Sequence, residues 1–205
     1  MAADLAMSRL EKALGALVRD LDRQGARAAL VGGLAVSARS EPRFTRDIDM
    51  VVAVASDAEA ESIVHALIGQ GYEILAVVKH ETQHRLATAR LVTPSEGQSG
   101  VVADLLFASS GIEAEIVTAA ERLEIFAGLA LPVARAGHLA ALKLLAADAR
   151  TRPQDAVDLR ALREIVSDEE IARAGSAARL IEERGFARGR DLTRAVAEWR
   201  DSAGG

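Results

Sequence analysis

The sequence predicts a mixed α/β protein of the α+β type, in which a small mixed sheet with flanking helices precedes a helical C-terminal part. Short apolar runs typical of strands recur between residues 28 and 133 and alternate with helical patterns. After Gly137 the hydrophobic pattern is helical. Half of the 205 residues are apolar and 3% are aromatic, which favours a helix-rich core packed through small side chains. We therefore expect an α/β domain over residues 1–135 and a helical region over residues 136–205.

The N-terminal part is predicted to open with an amphipathic helix. Leucines at helical spacing between Leu5 and Leu21 indicate this helix, with Asp4 as a candidate cap and Gly25 just past its end. Strands are then predicted over residues 28–31, 47–52, 72–78, 85–92 and 101–107. A brief helix follows the first strand, a second helix begins after Ser56, a third spans residues 113–122, and a hairpin covers residues 123–133.

Four helices are predicted in the C-terminal part. The first spans residues 138–150. The second begins near Pro153, because proline is favoured in the first turn of a helix. The third follows Ser167 as its cap, and the fourth covers residues 191–199.

The composition excludes several classes of protein and of site. Cysteine is absent, which excludes disulfides, thiolate metal ligands and cysteine nucleophiles. The formal net charge is −5, so the sequence does not indicate the broad basic face that binds a long polynucleotide. The N-terminus lacks a basic segment followed by an apolar run, and no apolar run approaches the ~18 residues of a membrane span. We therefore expect a cytoplasmic protein with no membrane partner.

The segment from residue 28 to residue 52 carries the first candidate site. Gly32 and Gly33 lie between a predicted strand and a predicted helix, where backbone N–H groups can approach an anion closely. Asp47 and Asp49 fall on one face of the next strand, with backbones roughly 6.5–7 Å apart. Two such carboxylates can share hard cations, which prefer oxygen ligands. A phosphate cradle beside two carboxylates suits phosphoryl or nucleotidyl transfer, whereas a solvated Asp-x-Asp pair at a strand end is the alternative.

Asp104 is a candidate third carboxylate. It lies within the apolar run 101–107, where a charge is costly unless it has a partner or a metal ion. Strand alternation places Val101, Ala103 and Leu105 on the opposite face. Asp104 would join the Asp pair if its strand lay beside theirs. A solvated position at a strand edge is the alternative.

Residues 80–84 spell the His-Glu-x-x-His pattern of zinc proteases. That chemistry requires a helix, so that the two histidines meet one turn apart with the glutamate as base. Here the pattern falls between two predicted strands. The sequence therefore does not favour a metalloprotease.

Two motifs resemble nucleotidyltransferases of the polymerase-β superfamily, and most of all the branch of AbiEii/AbiGii toxin-like proteins. The first is Gly32-Gly33-Leu-Ala followed by Pro42-Arg43-x-Thr45-x-Asp47-Ile48-Asp49. The second comprises Leu131-Pro-Val, then His138-Leu-x-x-Leu-Lys-Leu-Leu-Ala, then Arg152-Pro-x-Asp-x-x-Asp-Leu159. The resemblance covers roughly residues 28–165. Members of the superfamily often have serine where this chain has Gly33.

The resemblance implies a magnesium-dependent transfer of a nucleoside monophosphate from a nucleoside triphosphate (NTP), such as ATP, to a hydroxyl. Gly32 and Gly33 would hold the triphosphate. Asp47 and Asp49 would bind Mg²⁺, commonly as a two-ion site. Asp104 would either complete the metal site or take the proton from the acceptor hydroxyl. In-line attack on the α-phosphorus would then release pyrophosphate.

Four further charged residues are candidates for binding or structural roles. By the same resemblance Lys143 helps to bind the nucleotide phosphates, although a lysine at a helix surface can also extend its ammonium into solvent. Asp158 is expected to face Lys143 or the nucleotide, whereas Asp155 favours a structural role in the first helical turn. Arg43 is a candidate phosphate ligand, and a solvated arginine in a polar loop is the alternative.

Two functions from different classes remain open at this point. One is the nucleotidyltransferase, acting on RNA such as tRNA, on a protein or on a small molecule. It could be the toxin-like component of a toxin–antitoxin system with an antitoxin partner. The other is a catalytically silent nucleotide-binding or regulatory module. An accessible set of three carboxylates would favour the enzyme, and an occluded or mispaired Asp47 would favour the silent module.

Overall fold

The computed structural model describes residues 2–80, 83–95, 100–148 and 152–202. One mixed sheet holds seven strands in the spatial order β3-β4-β5-β2-β1-β7-β6. The strands are β1 (Arg27–Val31), β2 (Ile48–Ala53), β3 (Glu73–Lys79), β4 (Leu86–Val92), β5 (Val102–Leu106), β6 (Glu121–Phe126) and β7 (Leu129–Val133). The helices are α1 (Ala2–Arg23), α2 (Gly32–Arg39), α3 (Asp57–Gly69), α4 (Glu113–Ala119), α5 (Ala136–Ala146), α6 (Pro153–Ile165), α7 (Asp168–Glu183) and α8 (Leu192–Asp201). The predicted fold class is therefore confirmed.

The centre of the sheet is the strand pair β1–β2 with β5 beside it. β1 and β2 run antiparallel, whereas β5 runs parallel to β2. The apolar alternation decides which faces are buried: Ile48, Met50 and Val52 of β2 are all buried, as are Ala103 and Leu105 of β5. The polar positions of β2 and β5 are thereby left on a common face.

Local sequence signals set most element boundaries. The side chain of Ser56 caps α3 by accepting a hydrogen bond from the backbone N–H of Glu59, as the capping pattern predicts. Gly25 follows α1 with a φ of +66°, a left-handed conformation that glycine adopts without steric cost. The helix α1 already includes Ala2, so Asp4 lies inside the helix and not at its start.

The predicted bounds of two helices are wrong. The helix predicted over residues 113–122 ends at Ala119, and Arg122 belongs to β6. The reason is the hairpin: β6 pairs with β7 from Glu121 onwards, so ladder hydrogen bonds replace a further helical turn. The first C-terminal helix begins at Ala136 and ends at Ala146, earlier at both ends than predicted. Arg150, its predicted last residue, lies outside the described residues.

The helices α5 to α8 pack on one another, and α5 and α6 also pack against α2. Gly137 permits the close approach of α5 to α7, because a β-carbon there would overlap the backbone of Glu170. The indole N–H of Trp199 in α8 donates to the carbonyl of Leu159 in α6 at 2.8 Å. This packing holds α5 and α6 over one face of the sheet. The division into domains at residues 135 and 136 stays a prediction.

The sequence predicts neither a membrane-spanning helix nor a zinc-protease helix over residues 80–84. No helix in the described ranges is long and apolar enough to cross a membrane. His80 and His84 lie in the connection between β3 and β4, neither is assigned to a helix, and His84 has a left-handed φ of +52°. Glu81 and Thr82 lie outside the described residues.

Candidate active site

A cleft of about 840 Å³ lies over the exposed face of the central strands. Its floor is formed by β2, β5, β4 and β3, and its walls come from the start of α2, from α5 and from the start of α6. Seven of the eight residues in the predicted site line it: Gly32, Gly33, Arg43, Asp47, Asp49, Asp104 and Lys143. The structure thus brings together segments that are more than 100 residues apart in the chain.

Both the backbone conformation at position 32 and the nearby carboxylate of Asp49 require glycine there. Its φ is +66°, in the left-handed region, and a β-carbon there would overlap the carboxylate of Asp49. The helix α2 begins at Gly32, and its N-cap Val31 offers no side-chain hydrogen bond. The first N–H groups of α2 are therefore free of a side-chain cap next to Asp49, which is the arrangement in which helix N-termini receive anions.

Gly33 leaves room for an arginine. A β-carbon at Gly33 would lie 2.6 Å from Nη2 of Arg43. The same guanidinium is held by Asp158, with Nε to Oδ1 at 2.6 Å and Nη2 to Oδ2 at 2.8 Å. A serine at this position would displace that ion pair. The close approach of Arg43 thus gives a physical reason for glycine at this position.

The carboxylates of Asp49 and Asp104 come from neighbouring parallel strands in register. Asp49 of β2 is the partner of Asp104 in β5, so the two side chains lie on the same face of the sheet. Asp47 immediately precedes β2 and is exposed. It forms no ion pair with any residue in the described ranges. Asp47 is therefore neither occluded nor mispaired.

The environment of Asp49 opposes its ionisation. Burial, followed by the charge of Asp104 and to a smaller extent that of Asp47, raises the pKa of Asp49 to about 6, against the opposing charge of Lys143. Excess negative charge in a buried site is the electrostatic condition that a divalent cation relieves.

Arg90 is a residue of the site that the sequence interpretation missed. It is the cross-strand partner of Asp104 on β4. Its Nε donates to Oδ1 of Asp104 at 2.8 Å and its Nη2 to Oδ2 at 2.7 Å. The alternation of residues 85–92 places Arg90 on the outward face of its strand, and this pattern could have identified it as a candidate residue of the site. Asp104 therefore has an ionic partner on its own face.

Lys143 lies at the centre of a buried ionic cluster. It is 8% exposed, so the alternative of a lysine extended into solvent is wrong. Its Nζ lies 2.8 Å from Oδ1 of Asp155 and 2.7 Å from Oδ2 of Asp158. Arg152 completes the cluster, with Nε 2.9 Å from Oδ2 of Asp155. Asp158 thus faces Lys143 and Arg43, and it links the helical part to the loop before β2.

Among the described residues, no group of three or more His, Asp or Glu side chains is arranged closely enough to hold a metal ion. The donor set nevertheless fits magnesium, which prefers carboxylate oxygens. Asp47 is free of ion pairs with described residues, and Asp49 is destabilised by its acidic neighbours. Asp104 shares its oxygens with Arg90, although each carboxylate oxygen retains a second lone pair. The metal roles of these three residues stay a prediction.

One solved structure with a TM-score above 0.5 agrees with the fold, and two others show a weaker likeness. An antigenic nucleotidyltransferase-like protein from Paracoccidioides brasiliensis matches with a TM-score of 0.53 and 18% identity, over 94% of each chain. The antibiotic-resistance factor ANT(2'')-Ia has a TM-score of 0.48 and 16% identity, over 93% of this chain and 89% of its own. The lincosamide antibiotic adenylyltransferase LnuA has a TM-score of 0.48 and 14% identity, over 76% and 98%. At these identities the likeness concerns the fold alone.

No curated protein matches the sequence significantly. Residues 15–203 match the family described as nucleotidyl transferase AbiEii toxin, type IV TA system. The match covers nearly the whole chain and includes both motifs that carry the resemblance. The chain therefore belongs to the AbiEii family of nucleotidyltransferases.

Proposed function

We propose that the protein is a magnesium-dependent nucleotidyltransferase that moves a nucleoside monophosphate from an NTP to an acceptor hydroxyl. The observation that carries the proposal is the contact between the start of α2 and Asp49, which is itself in register with Asp104. Anion-binding N–H groups thereby adjoin two carboxylates. Both are needed where a polyphosphate and its counter-ions are to be held together.

Some residues of the cleft bind the phosphates, and others neutralise the charges of the residues that do so. The N–H groups of Gly32 and Gly33 receive phosphate oxygens. Arg43 lies beside Gly33 and keeps its orientation through the two hydrogen bonds to Asp158. Lys143 in turn neutralises Asp158 and fixes its position. We propose that Lys143 supports phosphate binding through this chain of contacts.

Asp47, Asp49 and Asp104 would hold the magnesium. When bound, magnesium neutralises phosphate charge and stabilises the departing pyrophosphate. Ionised Asp49 is required for this role, and its raised pKa is the consequence of a site built to receive positive charge. Asp104 lies on the side of β5 toward β4, where Arg90 holds its carboxylate in a fixed orientation.

The acceptor hydroxyl belongs to RNA, to a protein or to a small molecule. The family is described as a toxin of type IV toxin–antitoxin systems, and we propose the same cellular role, with an antitoxin partner, for this chain. Induced expression is then expected to slow growth of a bacterial host. A variant lacking Asp47 and Asp49 is expected to leave growth unchanged at the same protein level.

One observation favours the alternative of a catalytically silent nucleotide-binding module. Arg90 engages both oxygens of Asp104 and thereby competes with a metal ion for them. A silent module would bind NTP without turnover. Under this alternative, NTP binding would be measurable by calorimetry while no nucleotide transfer occurred.

The test is incubation of the protein with each α-labelled NTP and magnesium, alone and with a cell extract. We expect label transfer and pyrophosphate release with the wild-type chain. The double variant Asp47→Ala, Asp49→Ala is expected to lose both with little loss of folding. Full activity of that variant would contradict the site, and no transfer under any condition would contradict the enzyme.

A matched control is Asp22→Ala. Asp22 is an exposed carboxylate in the last turn of α1, which leads into the start of β1. The site lies at the other end of β1, roughly 17 Å away along a five-residue strand. Asp22→Ala removes the same kind of charge and is expected to retain full transfer.

A further inference from the structure

Among the residues that the structure describes, five cations line the cleft, and four of them are neutralised. Arg43, Lys143, Arg152 and Arg90 each form an ion pair with an aspartate. Arg188 is the exception, since it forms no ion pair with a carboxylate anywhere in the described ranges. Its guanidinium Nη2 donates to the backbone carbonyl of Ser109 at 3.0 Å. Within the described part of the chain, Arg188 is thus the one cation of the cleft that no carboxylate contacts as an ion pair.

The backbone at Arg188 is held in an uncommon conformation. Its φ is +55°, in the left-handed region that residues with a β-carbon rarely adopt. The loop between α7 and α8 that carries it is anchored just before Arg188. Phe186 is buried against Gly111, and Arg184 pairs with Glu115 at 2.6 Å. Such strain persists only where surrounding contacts impose it, and it concentrates at functional positions.

Like charges surround Arg188. Desolvation and the neighbouring Arg190 and Arg152 lower the pKa of Arg188, whereas the acidic Glu113 raises it. Arg190 itself donates to the carbonyl of Ala147 at 2.5 Å, beside the end of α5. Of these three guanidinium groups, those of Arg188 and Arg152 line the cleft. An anion beside Arg188 would relieve the repulsion between them.

The topology places Arg188 away from the diglycine end. Gly32 follows the last residue of β1, whereas Ser109, the partner of Arg188, follows the end of β5. β1 is antiparallel to β2 and β5 is parallel to β2, so these two strand ends lie at opposite ends of the sheet. The cleft thus runs from Gly32 past Asp49 and Asp104 to Arg188.

We propose that Arg188 binds an anionic group, a phosphate or a carboxylate, of the acceptor molecule. The inference rests on the proposed function, in which the triphosphate occupies the diglycine end of the cleft. The triphosphate carries all the negative charge of an NTP near neutral pH. An anion at the opposite end, beyond Asp104, therefore belongs to the second substrate.

The first test compares three variants: Arg188→Gln, Arg188→Lys and the control Arg179→Gln. Arg179 is exposed on α7 and does not line the cleft. Loss of a hydrogen bond between charged groups is expected to reduce transfer to the labelled acceptor of the extract by about ten- to a hundredfold in Arg188→Gln. Arg188→Lys keeps the charge and should retain part of the transfer that is lost in Arg188→Gln. Arg179→Gln should behave as the wild type.

Nucleotide affinity distinguishes acceptor binding from nucleotide binding. The dissociation constant of a non-hydrolysable NTP analogue with magnesium is expected to change by less than about twofold in Arg188→Gln. A loss of analogue affinity that accounts for the loss of transfer would overturn the proposal in favour of a nucleotide contact. Unchanged transfer in Arg188→Gln would overturn it as well. The substitution keeps a β-carbon at the strained position, so thermal unfolding should be similar to that of the wild type.

A second test does not depend on turnover. Inorganic phosphate is titrated into protein saturated with the analogue, and the side-chain Nε–Hε resonances of the arginines are followed by NMR. We expect a saturable shift of the Arg188 signal, assigned by its absence in Arg188→Gln, and the same shift in the Asp47→Ala, Asp49→Ala variant. This shift would remain even if the protein transferred no nucleotide. No shift, or one no larger than that of Arg179, would contradict the assignment.

Discussion

Replacing Asp49 by asparagine is expected to abolish nucleotide transfer and to stabilise the metal-free protein. The substitution keeps the size of the side chain and removes its charge. Burial, followed by the charge of Asp104, raises the pKa of Asp49 from its ordinary value of 3.8 to about 6. The folded state therefore binds this proton more tightly than the unfolded chain does. The corresponding stabilisation is complete below about pH 4 and is lost as the pH rises through about 6.

The expected size of the effect follows from the two pKa values. The difference between 3.8 and about 6 corresponds to about 3 kcal/mol of unfolding free energy near pH 8. Asparagine does not ionise, so Asp49→Asn should gain up to that amount at pH 8 and gain little near pH 4. The assay is urea denaturation in the presence of a chelator at both pH values, with Asp22→Asn as the control. A destabilised Asp49→Asn protein at pH 8 would refute the electrostatic reasoning.

Three further substitutions probe the neighbourhood of the cleft. Lys143→Met removes the buried cation that Asp155 and Asp158 share and should cost about 3–5 kcal/mol in urea denaturation. Gly32→Ala should abolish transfer and lower the melting temperature, because a methyl group would overlap the carboxylate of Asp49 at a left-handed φ. His138→Leu should flatten the pH dependence of unfolding between pH 6.5 and about 4, because burial, followed by the charge of Arg173, lowers the pKa of His138 to about 4. Stability from neutral His138 is complete above pH 6.5 and is lost as the pH falls through about 4, with a limit of about 3 kcal/mol.

The substitutions at Lys143 and Gly32 each have a control in the same protein. Lys143→Arg keeps the charge and should cost less than Lys143→Met. Gly69→Ala adds a methyl group at the end of α3 with no atom within 4 Å, so it should be tolerated. For His138, a wild-type curve that is already flat between pH 6.5 and 4 would contradict the prediction. The charged groups nearest to His138 are Arg135, Arg173, Glu115 and Glu170.

The sequence was most informative where chemistry and periodicity coincide. The strand–diglycine–helix–strand order from residue 27 to residue 53 is visible locally, because glycine and alternation mark each boundary. The orientation of Asp104 also follows from alternation, since Ala103 and Leu105 could only be buried together on the other face. These features depend on residues close in sequence.

The partners of the charged residues could not be predicted in the same way. Arg90 faces Asp104 only because β4 and β5 pair in one particular register, and a shift of one residue would have turned Arg90 to the other face. Arg43 meets Asp158 across 115 residues of chain. Helix α4 ended earlier than predicted because the β6–β7 ladder replaced its last turn. In each case tertiary pairing selected among options that the local sequence left open.

The hydrogen bond from Trp199 to Leu159 has a consequence during synthesis of the chain. It fastens α8 to α6, the helix that presents Asp155 and Asp158 to Lys143. A ribosome that has made Asp49 must still add roughly 150 residues before Trp199 exists, which takes about 8–30 s at about 5–20 residues per second. Until then the buried ionic cluster around Lys143 lacks this support. A nascent chain would therefore acquire a competent cleft only late in its own translation, and a cell would have that interval before the activity began.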